Sequence, residues 1–168
     1  MTAASVRSVV LGVVLAVLAG PVCSAGNTLS VKEQVDLSAP PAKTWETIKD
    51  FDGWQSWHPA VASTDILKGN GKAKGTVRVL TTKDGAKITE ELLAHSDKSM
   101  SYTYRIVDSP LPVTGYVSTI VVRKSKDGST VVWSSNFKAK QGVSDEEAKK
   151  AISGIYTAGL DNLKKMLK

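Results

Sequence analysis

The stretch from Ser144 to Lys168 constrains the fold of this chain more than any other. Ser144 with Glu147 three residues on forms a capping box, in which each side chain answers a backbone N–H that a helix start leaves unpaired. Ala148, Ala151, Ile152, Ile155, Tyr156, Gly159, Leu160, Leu163 and Leu167 then recur at helical spacing, with lysines and Asp161 on the other side. The spacing predicts one long helix with a single face made for burial, and Lys164, Lys165 and Lys168 suit the negative end of its dipole. Gly154 and Gly159 each cost about 1 kcal/mol in a helix interior. They predict room beside the apolar face, for a closely packed sheet or for a ligand.

What precedes this helix must supply the surface that covers it. Leu29, Val31, Val35 and Leu37 keep nearly to period two and predict a half-buried strand. Pro40-Pro41 ends it and opens a helix expected to run through Trp45, Ile48 and Phe51, since a proline at a first helical position loses no hydrogen bond. Asp52 to Pro59 brackets Trp54, Trp57 and His58 between glycine and proline, a short helical turn or loop. Six further strand patterns follow, over residues 61–67, 76–82, 86–95, 99–107, 115–123 and 129–139. Asp84-Gly85 and Asp127-Gly128 mark tight hairpins between them. One strand, two short helices, six antiparallel strands and a long helix make an α+β domain, its sheet wrapped around the final helix.

The first segment does not belong to that domain. Arg7 precedes the uncharged apolar run from Val9 to Ala19, Gly20-Pro21 breaks it, and Cys23-Ser24-Ala25 has the small residues of an export cleavage site. The run is shorter than the ~20 apolar residues that span a bilayer. Residues 1–25 are therefore expected to be a cleaved signal peptide and 26–168 a single periplasmic or secreted domain with no membrane span. A lipoprotein signal modified at Cys23 is the competing reading. Cleavage removes the only cysteine and Arg7, leaving 21 basic against 16 acidic residues, a net charge of +5. That excludes disulfides and thiol chemistry. The surplus is spread in mixed charge rather than packed in one run, which suits a solvated basic surface better than a nucleic-acid footprint and leaves an acidic protein partner or an anionic membrane surface open.

Strand parity sorts the side chains further. Ile88, Glu90 and Leu92 share a face, as do Tyr102, Tyr104 and Ile106; so do Tyr116, Ser118, Ile120 and Val122, and Val131, Trp133, Ser135 and Phe137. Lys87, Glu91, Arg105, Arg123 and Lys138 fall opposite, so the first sets face inward. An inward face that mixes tyrosines, serines and a carboxylate must find partners for each polar group. Either the side chains satisfy one another and the backbone, or a small amphipathic molecule does. The ligand-binding candidates are Trp54, Trp57, His58, Glu90, Tyr102, Tyr104, Tyr116, Ser118, Trp133, Ser135 and, on the helix, Tyr156. His58 is either a general base or a turn residue stacked between Trp54 and Trp57. His95 has outward parity and is expected at the surface. The two histidines have no carboxylate at ligand spacing, so no metal or cofactor is expected.

Trp45 to Pro59 (WETIKDFDGWQSWHP), Gly75 to Leu80 (GTVRVL), Ile88 to Leu93 (ITEELL) and Tyr116 to Ile120 (YVSTI) resemble the START/Bet v 1-like superfamily. They are most similar to its bacterial polyketide cyclase/dehydrase branch and to plant abscisic-acid receptors. The resemblance implies a helix-grip fold, seven strands around the C-terminal helix with a cavity between. In the receptor branch it places His58 at a pocket lysine, Glu90 at a pocket glutamate, and Tyr116 and Ser118 at a pocket tyrosine and serine. The receptors' gate corresponds to the tight turn Lys83-Asp84-Gly85, and their latch to Pro110-Leu111-Pro112, which lacks the histidine–arginine pair. Three functions follow: an exported binder of a small hydrophobic or amphipathic molecule, a cyclase or dehydratase using His58 and Glu90, or a periplasmic accessory of an electron-transfer or methanol-oxidation system.

Overall fold

The computed structural model describes residues 27–168; the expected signal segment and Cys23 lie outside them. The elements run β1 (Leu29–Leu37), α1 (Pro41–Ile48), a 3-10 turn (Trp54–Ser56), β2 (Val61–Lys68), β3 (Val77–Thr82), β4 (Lys87–Ser96), β5 (Ser101–Asp108), β6 (Val113–Lys124), β7 (Ser129–Ala139) and α2 (Asp145–Met166). All seven strands form one sheet in the order β1-β7-β6-β5-β4-β3-β2, and every neighbouring pair is antiparallel. β1 pairs with β7 while β2 forms the opposite edge, so α1 and the 3-10 turn carry the chain from one edge of the sheet to the other. This is the helix-grip arrangement, with α2 packed against β1 and β7.

Local chemistry explains the framework. The capping box of α2 is made on both sides: Glu147 N–H donates to Ser144 Oγ at 3.2 Å, and Ser144 N–H to Glu147 Oε2 at 3.2 Å. Its buried face carries Ala148, Ile152, Tyr156, Gly159, Leu160 and Leu163. The inward strand parity holds for Ile88, Glu90 and Leu92, Tyr102 and Tyr104, Tyr116 to Val122, and Val131 to Phe137 at alternate positions, all buried, while Ile106 is only half-buried. Gly128 lies where the last hairpin passes the end of β1. A Cβ there would stand 2.1 Å from the Leu37 carbonyl oxygen, so no larger residue fits.

Three expectations need correction. α1 stops at Ile48 instead of running through Phe51: the chain turns there, with Gly53 N–H donating to the Asp50 carbonyl at 3.0 Å, and the Phe51 carbonyl accepts from Arg78. His95 is half-buried: the β4–β5 register slips between Leu92 and Ala94, and the ring then stacks on Tyr102 and bonds through Nε2 to the Lys49 carbonyl at 3.0 Å. Of the two helix glycines only Gly159 makes room for a neighbour. A Cβ on it would meet His58 Cδ2 at 2.7 Å and Trp133 Cζ3 at 3.1 Å, whereas Gly154 is exposed with nothing near it.

Candidate functional site

Between the sheet and α2 lies an inner cavity of about 70 Å³, room for a few waters at most. Trp54, His58, Glu90, Tyr104, Tyr116, Trp133 and Tyr156 line it, with Leu80, Ile88, Ile106, Leu111, Ile152 and Ile155 among its apolar walls. Trp57, Tyr102, Ser118 and Ser135, also expected there, are buried outside its wall. An outer cleft of about 450 Å³ adjoins the cavity, bounded by the Lys83–Asp84 turn, Pro110 to Pro112 and Ile155 of α2. Ala60, Thr82, Ile88, Leu111 and Ile155 wall both spaces.

Much of the space expected for a ligand is filled by rings. Trp133 stacks on Tyr156 with centroids 4.2 Å apart, and Trp54 meets Trp133 and Tyr104 edge-on. Their polar atoms answer one another. Trp133 Nε1 donates to Ser118 Oγ at 3.0 Å and Tyr104 Oη at 3.1 Å; Ser118 donates to the Ser134 carbonyl at 3.0 Å. The Tyr156 hydroxyl bonds to those of Ser118 and Tyr116, and Trp54 Nε1 donates to Tyr102 Oη at 3.0 Å. Burial pushes the Tyr156 phenol up to about 12 and the Tyr102, Tyr104 and Tyr116 phenols upward as well, so all four stay protonated donors at neutral pH. Trp57 Nε1 and Ser135 Oγ are buried without a partner.

Glu90 is paired by a residue that the sequence reading passed over. Arg78, on β3 directly opposite Glu90, is fully buried and donates to Glu90 Oε2 from Nε at 2.8 Å and Nη2 at 2.6 Å. Its guanidinium carbon lies 3.8 Å from the Phe51 ring centre and 4.0 Å from that of Trp54, a cation held between two rings. The signal was present: Arg78 shares parity with inward Leu80, and the Asp84-Gly85 hairpin sets it across from Glu90. Burial pushes the Glu90 carboxyl above its ordinary range and the Arg78 charge pulls it back. Because an arginine does not deprotonate in proteins, losing the Glu90 charge would leave a lone buried cation, which favours the ionised pair.

His58 stacks on Trp54 and meets Trp57 edge-on. Ala60 N–H donates to its Nδ1 at 3.3 Å, so Nε2 carries the proton and donates to the Ile155 carbonyl at 3.1 Å. The ring stacks on Trp54, and burial lowers its pKa below the ordinary 6.5. Both ring nitrogens are thus engaged within the protein. Among the described residues no cluster of three or more metal-ligating side chains forms.

The family profile described as "Polyketide cyclase / dehydrase and lipid transport" matches residues 28–168. No curated protein matches the chain. Among solved structures, XoxI from Bacillus cereus is similar at 34% identity and a TM-score of 0.74, covering 83% of this chain and 94% of that one. A protein from Bacillus thuringiensis is also 34% identical, with a TM-score of 0.74 over 84% of this chain and 98% of its own. Ara h 8.0201, at 19% identity, shares the fold with a TM-score of 0.70 over 84% of this chain and 98% of its own. With the sheet closed on α2, a cavity between them and a profile spanning the described domain, the chain belongs to the polyketide cyclase/dehydrase and lipid transport family of the START/Bet v 1-like superfamily.

Proposed function

We propose that the protein is an exported carrier that holds one small, largely apolar molecule, with its bulk in the outer cleft and its leading end in the inner cavity. The observation that carries this reading is the shared wall of the two spaces, Ala60, Thr82, Ile88, Leu111 and Ile155. The inner cavity alone is far below the ~300 Å³ at which ligand pockets begin, whereas cleft and cavity together reach that range. Apolar walls supply the driving force, about 25 cal/mol per Å² buried, and polar groups at the inner end set orientation. The engaged nitrogens of His58 favour holding over acid–base chemistry. Export rests on residues 1–25 as a cleaved leader.

The test is native mass spectrometry and solvent extraction of the protein recovered from its own cell envelope. A chain beginning at Gly26 and a co-purifying apolar molecule in near-equal amount are expected. A full-length cytoplasmic chain would overturn export, and a protein that is empty and takes up no apolar probe would overturn the carrier. A second reading, an accessory that docks on an acidic partner of an electron-transfer or methanol-oxidation system, is favoured by the net charge of +5 after cleavage. A partner captured at low salt and lost at high salt would support it.

A further inference from the structure

Resting on the carrier reading above, we infer that the inner end of the pocket selects a neutral, hydroxyl-bearing apolar ligand over its carboxylate counterpart, with Glu90 Oε1 as the acceptor. Glu90 is 3% exposed and forms part of the inner cavity wall. Both of its bonds from Arg78 fall on Oε2, and among the described residues none donates to Oε1. Whereas Trp57 Nε1, Thr64 Oγ1 and Ser135 Oγ are sealed off without a partner, Oε1 keeps some accessible surface, so a donor that enters the cavity gains a charge-assisted hydrogen bond there.

The charges around it decide which donors fit. Among the described residues Glu90 is the only charged one in the cavity wall. Arg78 cannot turn to greet a second anion, since it is clamped between Phe51 and Trp54 with a third bond to the Phe51 carbonyl. A ligand carboxylate would therefore meet a like charge in a site almost without water, with no cation to spare. An ammonium group would surrender its hydration for a carboxylate that Arg78 already neutralises. An alcohol or phenol pays neither cost, and the hydroxyls of Tyr116 and Tyr156 lie in the same wall. Lys83 stands exposed at the rim of the outer cleft, where a ligand's anionic tail would be solvated and screened.

Equilibrium dialysis of the wild-type protein at neutral pH against 2-naphthol, naphthalene and 2-naphthoate tests this. 2-Naphthol is expected to bind about tenfold or more tighter than either of the others, the worth of one hydrogen bond to a charged acceptor. Naphthoate matching or exceeding naphthol, or naphthol no better than naphthalene, would overturn the selectivity and leave the carrier standing. No uptake of any of the three would overturn the carrier and the selectivity together. Glu90→Gln strips the acceptor charge and leaves Arg78 as the uncompensated ion, so its preference should shift toward naphthoate. An unshifted preference would mean that Glu90 does not read the ligand; if the variant fails to fold, the wild-type series decides alone.

Discussion

The space between sheet and helix has two halves built on opposite terms. In the deep half Trp54, Tyr104, Trp133, Tyr156 and Ser118 press together and spend their polar atoms on one another, and Arg78 is spent on Glu90. In the shallow half Leu111, Ile88, Ala60 and Ile155 surround an open cleft, beside the Lys83–Asp84 turn and two prolines, and offer a newcomer little besides apolar surface. The same strands and the same helix supply both. What differs is the size and polarity of the inward residue at each position along them, so one fold is tightly packed at one end and leaves an open cleft at the other.

The sharpest way to break this contrast is to attack the deep half where it is driest. Arg78→Met leaves Glu90 buried without its counter-charge and should cost about 3–5 kcal/mol in urea unfolding. A loss near 1 kcal/mol would mean that water reaches Glu90 and that the deep half is not sealed. Next comes Gly159→Ala, whose new methyl group would stand 2.7 Å from a His58 ring that two hydrogen bonds hold in place. Overpacking of this kind costs about 1–3 kcal/mol. A neutral or stabilising result would show that His58 has room to swing aside, which would return it to the candidates for chemistry.

The two halves were also unequally legible in the sequence. Period-two alternation alone gives the inward faces, which is why Glu90, Tyr104, Tyr116 and Trp133 fall where the chain order says they should. The Ser144–Glu147 box and the two Asp-Gly turns are equally local, and they stand as read. Contacts between distant segments are another matter. The partner of the Phe51 carbonyl is Arg78, 27 residues away in sequence. The partners of His58 depend on where α2 comes to rest, 97 residues later. The slip between Leu92 and Ala94 that brings His95 inward leaves no mark in the alternation. Cavity volume is the least legible quantity, because it depends on how closely the sheet curves over α2 and not on which residues face it.

The smallest expected effect belongs to the shallow half and probes its openness directly. Leu111 is half-buried between two prolines, at the wall that cavity and cleft share. Truncating a leucine in a tight core costs about 2–5 kcal/mol, because the neighbours cannot close over the gap. At an open wall solvent already reaches the side chain, so Leu111→Ala should cost about 1 kcal/mol or less in the same urea titration. The same change removes apolar contact from any molecule seated in the cleft, so it should weaken naphthalene binding several-fold in dialysis while the fold is hardly touched. A loss on the core scale would mean instead that Leu111 plugs a closed interior, in which case the shallow half is as full as the deep one and nothing is left to carry.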